Sequence, residues 1–212
     1  MDGYVTDQEQ VENLKRWWKG NGKSIISGLI LGLAMVGGAK WWFARQQSLS
    51  EIASQQYERV LQAVEEGKKD VAIEAGGMLL ERYPSSNYSA LTALTLARLK
   101  IDQDDLDGAR FYCQWVVDHA PGDQLKDVAR LRLARVLLAK GDQAAALQAV
   151  EAVDAGTFAA PAQELKGDIL LAQGKRAEAH AAYSAALAAG NSGADQERLQ
   201  IKLAEAGVQG KS

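Results

Sequence analysis

The sequence predicts an all-α protein: a single membrane-spanning helix near the N-terminus, then a solenoid of about four helix pairs with a C-terminal capping helix. Three observations predict it. The composition is rich in Ala, Leu, Gln and Glu, with only 3 Pro and 3 Phe. That is a helix-forming vocabulary, without the Val, Ile and Thr runs of strands. One long apolar run near the N-terminus is framed by two Trp-Trp pairs. From Glu51 onward, apolar residues recur at helical spacing, broken by short Gly/Asp turns at a nearly constant interval.

The first element lies within "WWKGNGKSIISGLILGLAMVGGAKWWFARQQ", Trp17 to Gln47. Its "GNGKS" does not make a nucleotide-binding loop. That loop needs a Gly five residues before the Gly-Lys-Ser, and Trp17 stands there. Ser24 to Ala39 is 16 residues without a charge, about 24 Å of helix. Continuing through Trp41, Trp42, Phe43 and Ala44 brings it to about 31 Å, enough for a hydrocarbon core of about 30 Å. Lys40 lies near the end, where its stem reaches the interface. Four of the 5 tryptophans, Trp17, Trp18, Trp41 and Trp42, flank this segment as interfacial anchors.

Orientation follows from the flanking cations. Lys15, Arg16, Lys19 and Lys23 precede the run, whereas Lys40 and Arg45 follow it. The more basic side stays in the cytoplasm, so the N-terminus is inside and the body outside, in the periplasm if the source is bacterial. Gly37 and Ala39 offer a signal-cleavage site before Lys40, but the long lead carries Asp7, Glu9 and Glu12, unlike the short basic start of a signal peptide. No Cys follows the core as a lipid attachment point. Gly28 and Gly32, with Ser24 one step earlier, form a small-residue row that admits a second helix; the alternative is that Gly is simply common in such helices. The expected division is a cytoplasmic segment over 1–22, a span over 23–44, a periplasmic repeat domain over 45–206 and a tail over 207–212.

The body repeats. The turn "EEGKKDVAIEA" resembles "AKGDQAAALQA" and "AQGKRAEAHAA", which aligns Ala72, Ala109, Ala146 and Ala179 at spacings of 37, 37 and 33 residues. Pro84 and Pro121 each end a unit. Ahead of the last three alanines lie the helices "ALTLARLK", "LRLARVLL" and "LKGDILLA". The pattern resembles the tetratricopeptide repeat, a helix-turn-helix unit of about 34 residues. By that resemblance the small position of the first helix falls on Ala97, Ala134 and Gly167. The large residue of the second helix falls on Cys113, Val150 and Tyr183, with Gly76 departing from the pattern in the first unit. The family's mid-helix aromatic is replaced by Lys100, Leu137 and Leu170, and Lys100 is the residue that strains the packing of the second unit. One such pair cannot bury its apolar face alone, so neighbouring units must stack. "DQERLQIKLAEAG", with Leu199, Leu203 and Ala206 on one face, reads as the cap, preceded by an "AGNSGA" turn.

Chemistry is sparse. The single cysteine, Cys113, makes no internal disulfide and falls on a packing position. His119 sits in a last helical turn, where a cation suits the helix dipole, and His180 reads as a surface residue. No metal motif, nucleophile elbow or cofactor fingerprint appears. Residues 46–212 carry 18 basic and 23 acidic side chains, a balance that does not suit nucleic acid. The expectation is a protein that is not an enzyme and takes no cofactor or small-molecule substrate. One constellation stands out. "LAR" recurs, placing Arg98 and Arg135 at the same place in consecutive units, with Arg132 one turn before Arg135. In the resembled repeat that place faces the concave groove, where guanidinium groups hold partner carboxylates; the alternative is pairing with Asp102 or Asp104 of the same repeat.

"EQVENLKRWWKGNGKSIISGLILGLAMVGGAKWW" followed by "YERVLQAVEEGK" resembles the YfgM family, the ancillary subunits of the SecYEG translocon. The resemblance implies an inner-membrane protein with its N-terminus inside and its repeat domain in the periplasm. It implies association with SecYEG and with the membrane-anchored chaperone PpiD. It also implies a role in passing translocated polypeptides to periplasmic chaperones, which makes those polypeptides further candidate ligands. A scaffold for another cell-envelope assembly remains the alternative.

Overall fold

The computed structural model describes residues 7–154, 156–190 and 194–207. Residues 1–6, the centre of the expected turn at 191–193, and the expected tail beyond Gly207 lie outside them. All elements among the described residues are helices. The chain divides into two units, residues 1–49 and 50–212.

Helix α1 (Asp7–Glu65) contributes to both units. In the first unit, no single helix among the described residues is long and apolar enough to cross a membrane. Two stretches, Val11–Ser24 and Ile26–Trp42, meet at a 41° bend and together reach that length and composition. The apolar run thus has Ile26–Trp42 as its helical body. Trp17, Trp18, Trp41 and Trp42 are all more than half exposed. Among the described residues, and apart from the helix's own nearby backbone, nothing lies within 4 Å of a Cβ placed on Gly28 or Gly32, so that side of the helix is open.

The second unit holds the end of α1 and eight further helices: α2 (Lys69–Arg82), α3 (Asn87–Ile101), α4 (Leu106–His119), α5 (Asp123–Ala139), α6 (Gln143–Glu151), α7 (Ala159–Ala172), α8 (Arg176–Ala188) and α9 (Ala194–Gly207). Local chemistry starts them. Ser86 Oγ accepts from Tyr88 N, Asp105 Oδ1 from Gly108 N at 2.8 Å, and Asp142 Oδ1 from Ala145 N at 3.1 Å. These side chains satisfy first-turn N–H groups that have no partner within the helix. The turn inside each pair passes through a left-handed residue: Gly67, Asp104, Gly141 and Gly174, with φ of 71°, 60°, 81° and 75°. They recur at the same interval as the aligned alanines. Asp104 therefore stands where the other three units use glycine.

The aligned positions form the core. Ala72, Ala109, Ala146 and Ala179 are each fully buried, as is Cys113, with Val150 and Tyr183 nearly so. Ala97, Ala134 and Gly167 are buried opposite them. The pairs trade volume: Ala97 with Cys113, Ala134 with Val150, and Gly167 with Tyr183. A Cβ on Gly167 would stand 2.5 Å from Cδ1 and 2.9 Å from Cζ of the Tyr183 ring, and nearer still to Cε1. Gly76 has its own reason. A Cβ there would lie 2.7 Å from Leu96 Cδ1 and 3.0 Å from Thr92 Cγ2, so α3 closes on α2 at this point. Lys100 keeps the second unit packed by a different route. Its side chain is mostly covered and its ammonium pairs with Asp105 at 2.9 Å, which ties the end of α3 to the cap of α4.

A candidate partner-binding surface and its supports

Arg98 on α3 and Arg135 on α5 each follow the buried small residue of their unit, Ala97 or Ala134, so the repeat sets both at one register position. Their surroundings differ. Arg98 Nε donates to Asp102 Oδ1 at 2.9 Å, one turn on, with its side chain 73% exposed. That is the same-repeat pairing weighed above; an exposed i,i+4 pair contributes only about 0.3–0.5 kcal/mol and yields readily to a competing anion. Arg132 Nη1 donates to Leu94 O at 3.2 Å and bridges α5 to α3. Arg135 is exposed and makes no hydrogen bond or ion pair among the described residues. The three arginines are therefore one free cation, one loosely held cation and one structural bridge.

Cys113 lies behind Arg132. Burial pushes its thiol up to about 11, against the opposing pull of the Arg132 guanidinium. A thiol so placed is a packing group and a poor nucleophile. His119 stacks on Trp115 with centroids 4.5 Å apart, and its Nδ1 lies 2.9 Å from Trp115 O, so it belongs to the end of α4. His180 is exposed. No group of three or more metal-ligating side chains comes together among the described residues.

Two charge clusters were not anticipated. Asp127 is buried on α5; Arg130 Nη1 donates to its Oδ1 at 2.7 Å, and Asp154 N approaches the same oxygen at 3.4 Å. The second cluster holds the cap. Arg198 donates through Nε and Nη2 to the two oxygens of Glu164 at 3.0 and 2.9 Å, a forked pair. Lys202 Nζ donates to Glu164 at 2.8 Å and to Asp168 at 2.7 Å, while Tyr183 Oη donates to Asp168 at 2.9 Å. Burial alone would raise the Glu164 carboxyl, yet the bonds from Arg198 and Lys202 hold it below the ordinary carboxylate range. Burial would likewise lower Lys202, and Asp168 and Glu164 outweigh it and raise it. Burial, then the bond to Asp168, raises Tyr183. Asp168 occupies the register place of Arg98 and Arg135, so the basic row ends where the cap's counter-charges begin. An i,i+3/i+4 search along α9 would have placed Arg198 and Lys202 on one face, but not their partners on α7.

The sequence model of the tetratricopeptide repeat-like domain matches residues 15–208. A curated protein of Escherichia coli K12, the ancillary SecYEG translocon subunit, is 32% identical over 203 residues, covering 96% of this chain and 98% of that protein. The chain belongs to this family, the YfgM family expected from its N-terminal stretch. Proteins of the same description from Neisseria gonorrhoeae and Haemophilus influenzae are 28% and 26% identical, covering 96% and 94% of this chain and 98% and 97% of theirs. The crystal structure of MamA protein shares the fold, with a TM-score of 0.58 at 19% identity, covering 74% of this chain and 81% of that one.

Proposed function

We propose that the protein is a membrane-anchored, non-enzymatic interaction module at the SecYEG translocon, which helps hand translocated polypeptides to the periplasmic chaperone network together with PpiD. The observation that carries this reading is end-to-end similarity to the ancillary translocon subunit of E. coli, 32% identical over 96% of the chain. In this reading residues 23–44 span the inner membrane, 1–22 stay in the cytoplasm and 45–206 work in the periplasm. Trp17, Trp18, Trp41 and Trp42 sit at the two interfaces, and the open side at Gly28 and Gly32 takes a neighbouring membrane helix. Arg135 and Arg98, with Arg132 behind them, offer guanidinium groups to carboxylates of a partner chain.

Affinity purification of the tagged full-length chain from gently solubilised membranes is the test. SecY and PpiD are the expected companions, and Arg135→Glu is expected to reduce the recovery of at least one. Recovery of neither, with a different envelope assembly in their place, would replace this reading by the scaffold alternative.

A further inference from the structure

We propose that the open end of the solenoid, a groove between α1 and α2, docks an amphipathic helix of another polypeptide that carries carboxylates beside its apolar stripe. This surface is separate from the arginine row, and the inference does not rest on the translocon reading.

The two ends of the repeat domain are built differently. Leu199, Leu203 and Ala206 of α9 close one end, and Arg198 and Lys202 on the same helix meet Glu164 and Asp168 beneath it. At the other end α3 packs on one side of α1 and α2, and no described helix of the second unit covers their opposite face. They leave a groove of about 610 Å³. Its apolar lining includes Ile52, Val71 and Met78, which are 41%, 53% and 58% exposed. Isolated exposed apolar residues need no explanation, but three lining one groove at the end of a solenoid do.

Register says what the groove is shaped to receive. Arg59 precedes Val60 as Leu96 precedes Ala97, Leu133 precedes Ala134 and Lys166 precedes Gly167. Leu96 is fully buried and lies against Gly76 of α2, the helix that precedes its unit. The solenoid therefore uses this position to seat a preceding helix. In the first unit the position is an exposed arginine, where the second and third units offer a leucine and the fourth a lysine, Lys166, whose ammonium pairs with Glu151 of the preceding helix α6 at 2.7 Å. An arriving helix therefore meets a guanidinium at a place where a cation already holds a preceding helix's carboxylate.

Charge then selects the arriving helix. Among the described residues Arg59 donates only to the amide oxygen of Gln56, at 3.3 Å, and Arg82 on the same groove makes no ion pair. Glu74 is the one carboxylate in the lining, which leaves it net positive. An apolar stripe flanked by Glu or Asp satisfies both arginines and covers Ile52, Val71 and Met78. A second copy applying the same groove would set two arginines against two arginines, with a single Glu74 on each side. The capped end shows the same design with signs reversed: acidic groove, basic helix.

The test uses the full-length protein in phosphatidylcholine nanodiscs and fluorescent synthetic peptides. One peptide has Leu at i, i+4, i+7 and i+11 with Glu flanks, a second has the same stripe with Lys flanks, and a third scrambles the Glu peptide. Binding is read by anisotropy, with empty nanodiscs subtracted. The Glu peptide is expected to bind in preference to the other two. Met78→Asp is expected to weaken it about tenfold or more, by placing an unpaired charge under the stripe, while Phe111→Asp, on α4, leaves it unchanged. Arg59→Glu with Arg82→Glu is expected to switch the preference to the Lys peptide. The proposal fails if the scrambled or Lys peptide binds the unaltered protein as well as the Glu peptide, or if Met78→Asp has no effect. It fails equally if crosslinking at Met78 without peptide yields dimers, since a second copy would then fill the groove.

Discussion

Substituting Gly167 by Ala tests how tightly α7 and α8 are keyed. In a free helix this change is favourable by about 1 kcal/mol. Here the new Cβ would lie 2.5 Å from Cδ1 and 2.9 Å from Cζ of Tyr183, so the ring must retreat by about 1 Å to reach ordinary contact. It cannot swing freely, because Tyr183 Oη is bonded to Asp168 at 2.9 Å and the residue is 1% exposed. Overpacking of this kind costs up to about 3 kcal/mol, leaving a net loss of about 2 kcal/mol. Adding Tyr183→Val recreates the pair found one unit earlier, Ala134 with Val150, and should make the double mutant more stable than the two single effects sum to, by about 1 kcal/mol or more. Hydrogen exchange of α7 and α8 amides in the detergent-solubilised full chain reads the effect locally, as a solenoid requires. If Gly167→Ala alone slows exchange, or if the two substitutions simply add, the ring is not what keeps this position glycine.

Other expectations follow from the same contacts. Asp104→Gly relieves a left-handed residue, φ 60°, whose side chain makes no hydrogen bond or ion pair among the described residues, and should stabilise the α3–α4 pair by about 0.5–1 kcal/mol in urea unfolding; a loss would mean that the side chain matters. The α9 cap should loosen in acid. Glu164 lies below its ordinary value, so its contribution is full above about pH 4.3 and disappears as pH falls through the folded value. Lys202 lies above its own, so its contribution is full below about pH 10.4 and is lost only as pH rises through the folded value. Exchange of α9 amides, corrected for intrinsic pH dependence, should accelerate in acid, and Glu164→Gln should flatten that limb; an unchanged limb would remove Glu164 from the account. Finally, Cys113, with its thiol pushed up to about 11, should resist iodoacetamide at about pH 8 until the chain is unfolded. Rapid labelling of the native protein would contradict its burial.

Much of the fold was legible because packing leaves a periodic record. The four aligned alanines are all buried, and the turns between helices recur with them, since close helix approach admits only a small side chain at fixed register. Gly76 read as a departure from the pattern, because the reason for it lies in another helix: Leu96 closes on it from α3. Arg132 shows the limit for the site. Three residues turn a helix through about 300°, so Arg132 sits about 60° off the line of Arg135. That offset is invisible in a "one turn apart" reading, yet it sends Arg132 to Leu94 O and leaves Arg135 in solvent. The bonds from α9 to Glu164 and Asp168 cross 34 to 38 residues. Nothing local announces a partner at that separation.

The cap also bears on how the repeat domain would fare without it. The 14 residues of α9 are the last helix among the described residues. Leu199 and Ala206 within it pack with Leu170, Tyr183 and Ala186. A chain that stops short of α9 would display those side chains to solvent, together with the unpaired carboxylates of Glu164 and Asp168. Proteases that attack exposed apolar surface would therefore cut a chain lacking α9 faster than one that carries it. The seal over the fourth unit is thus made of the same contacts that hold the last repeat together.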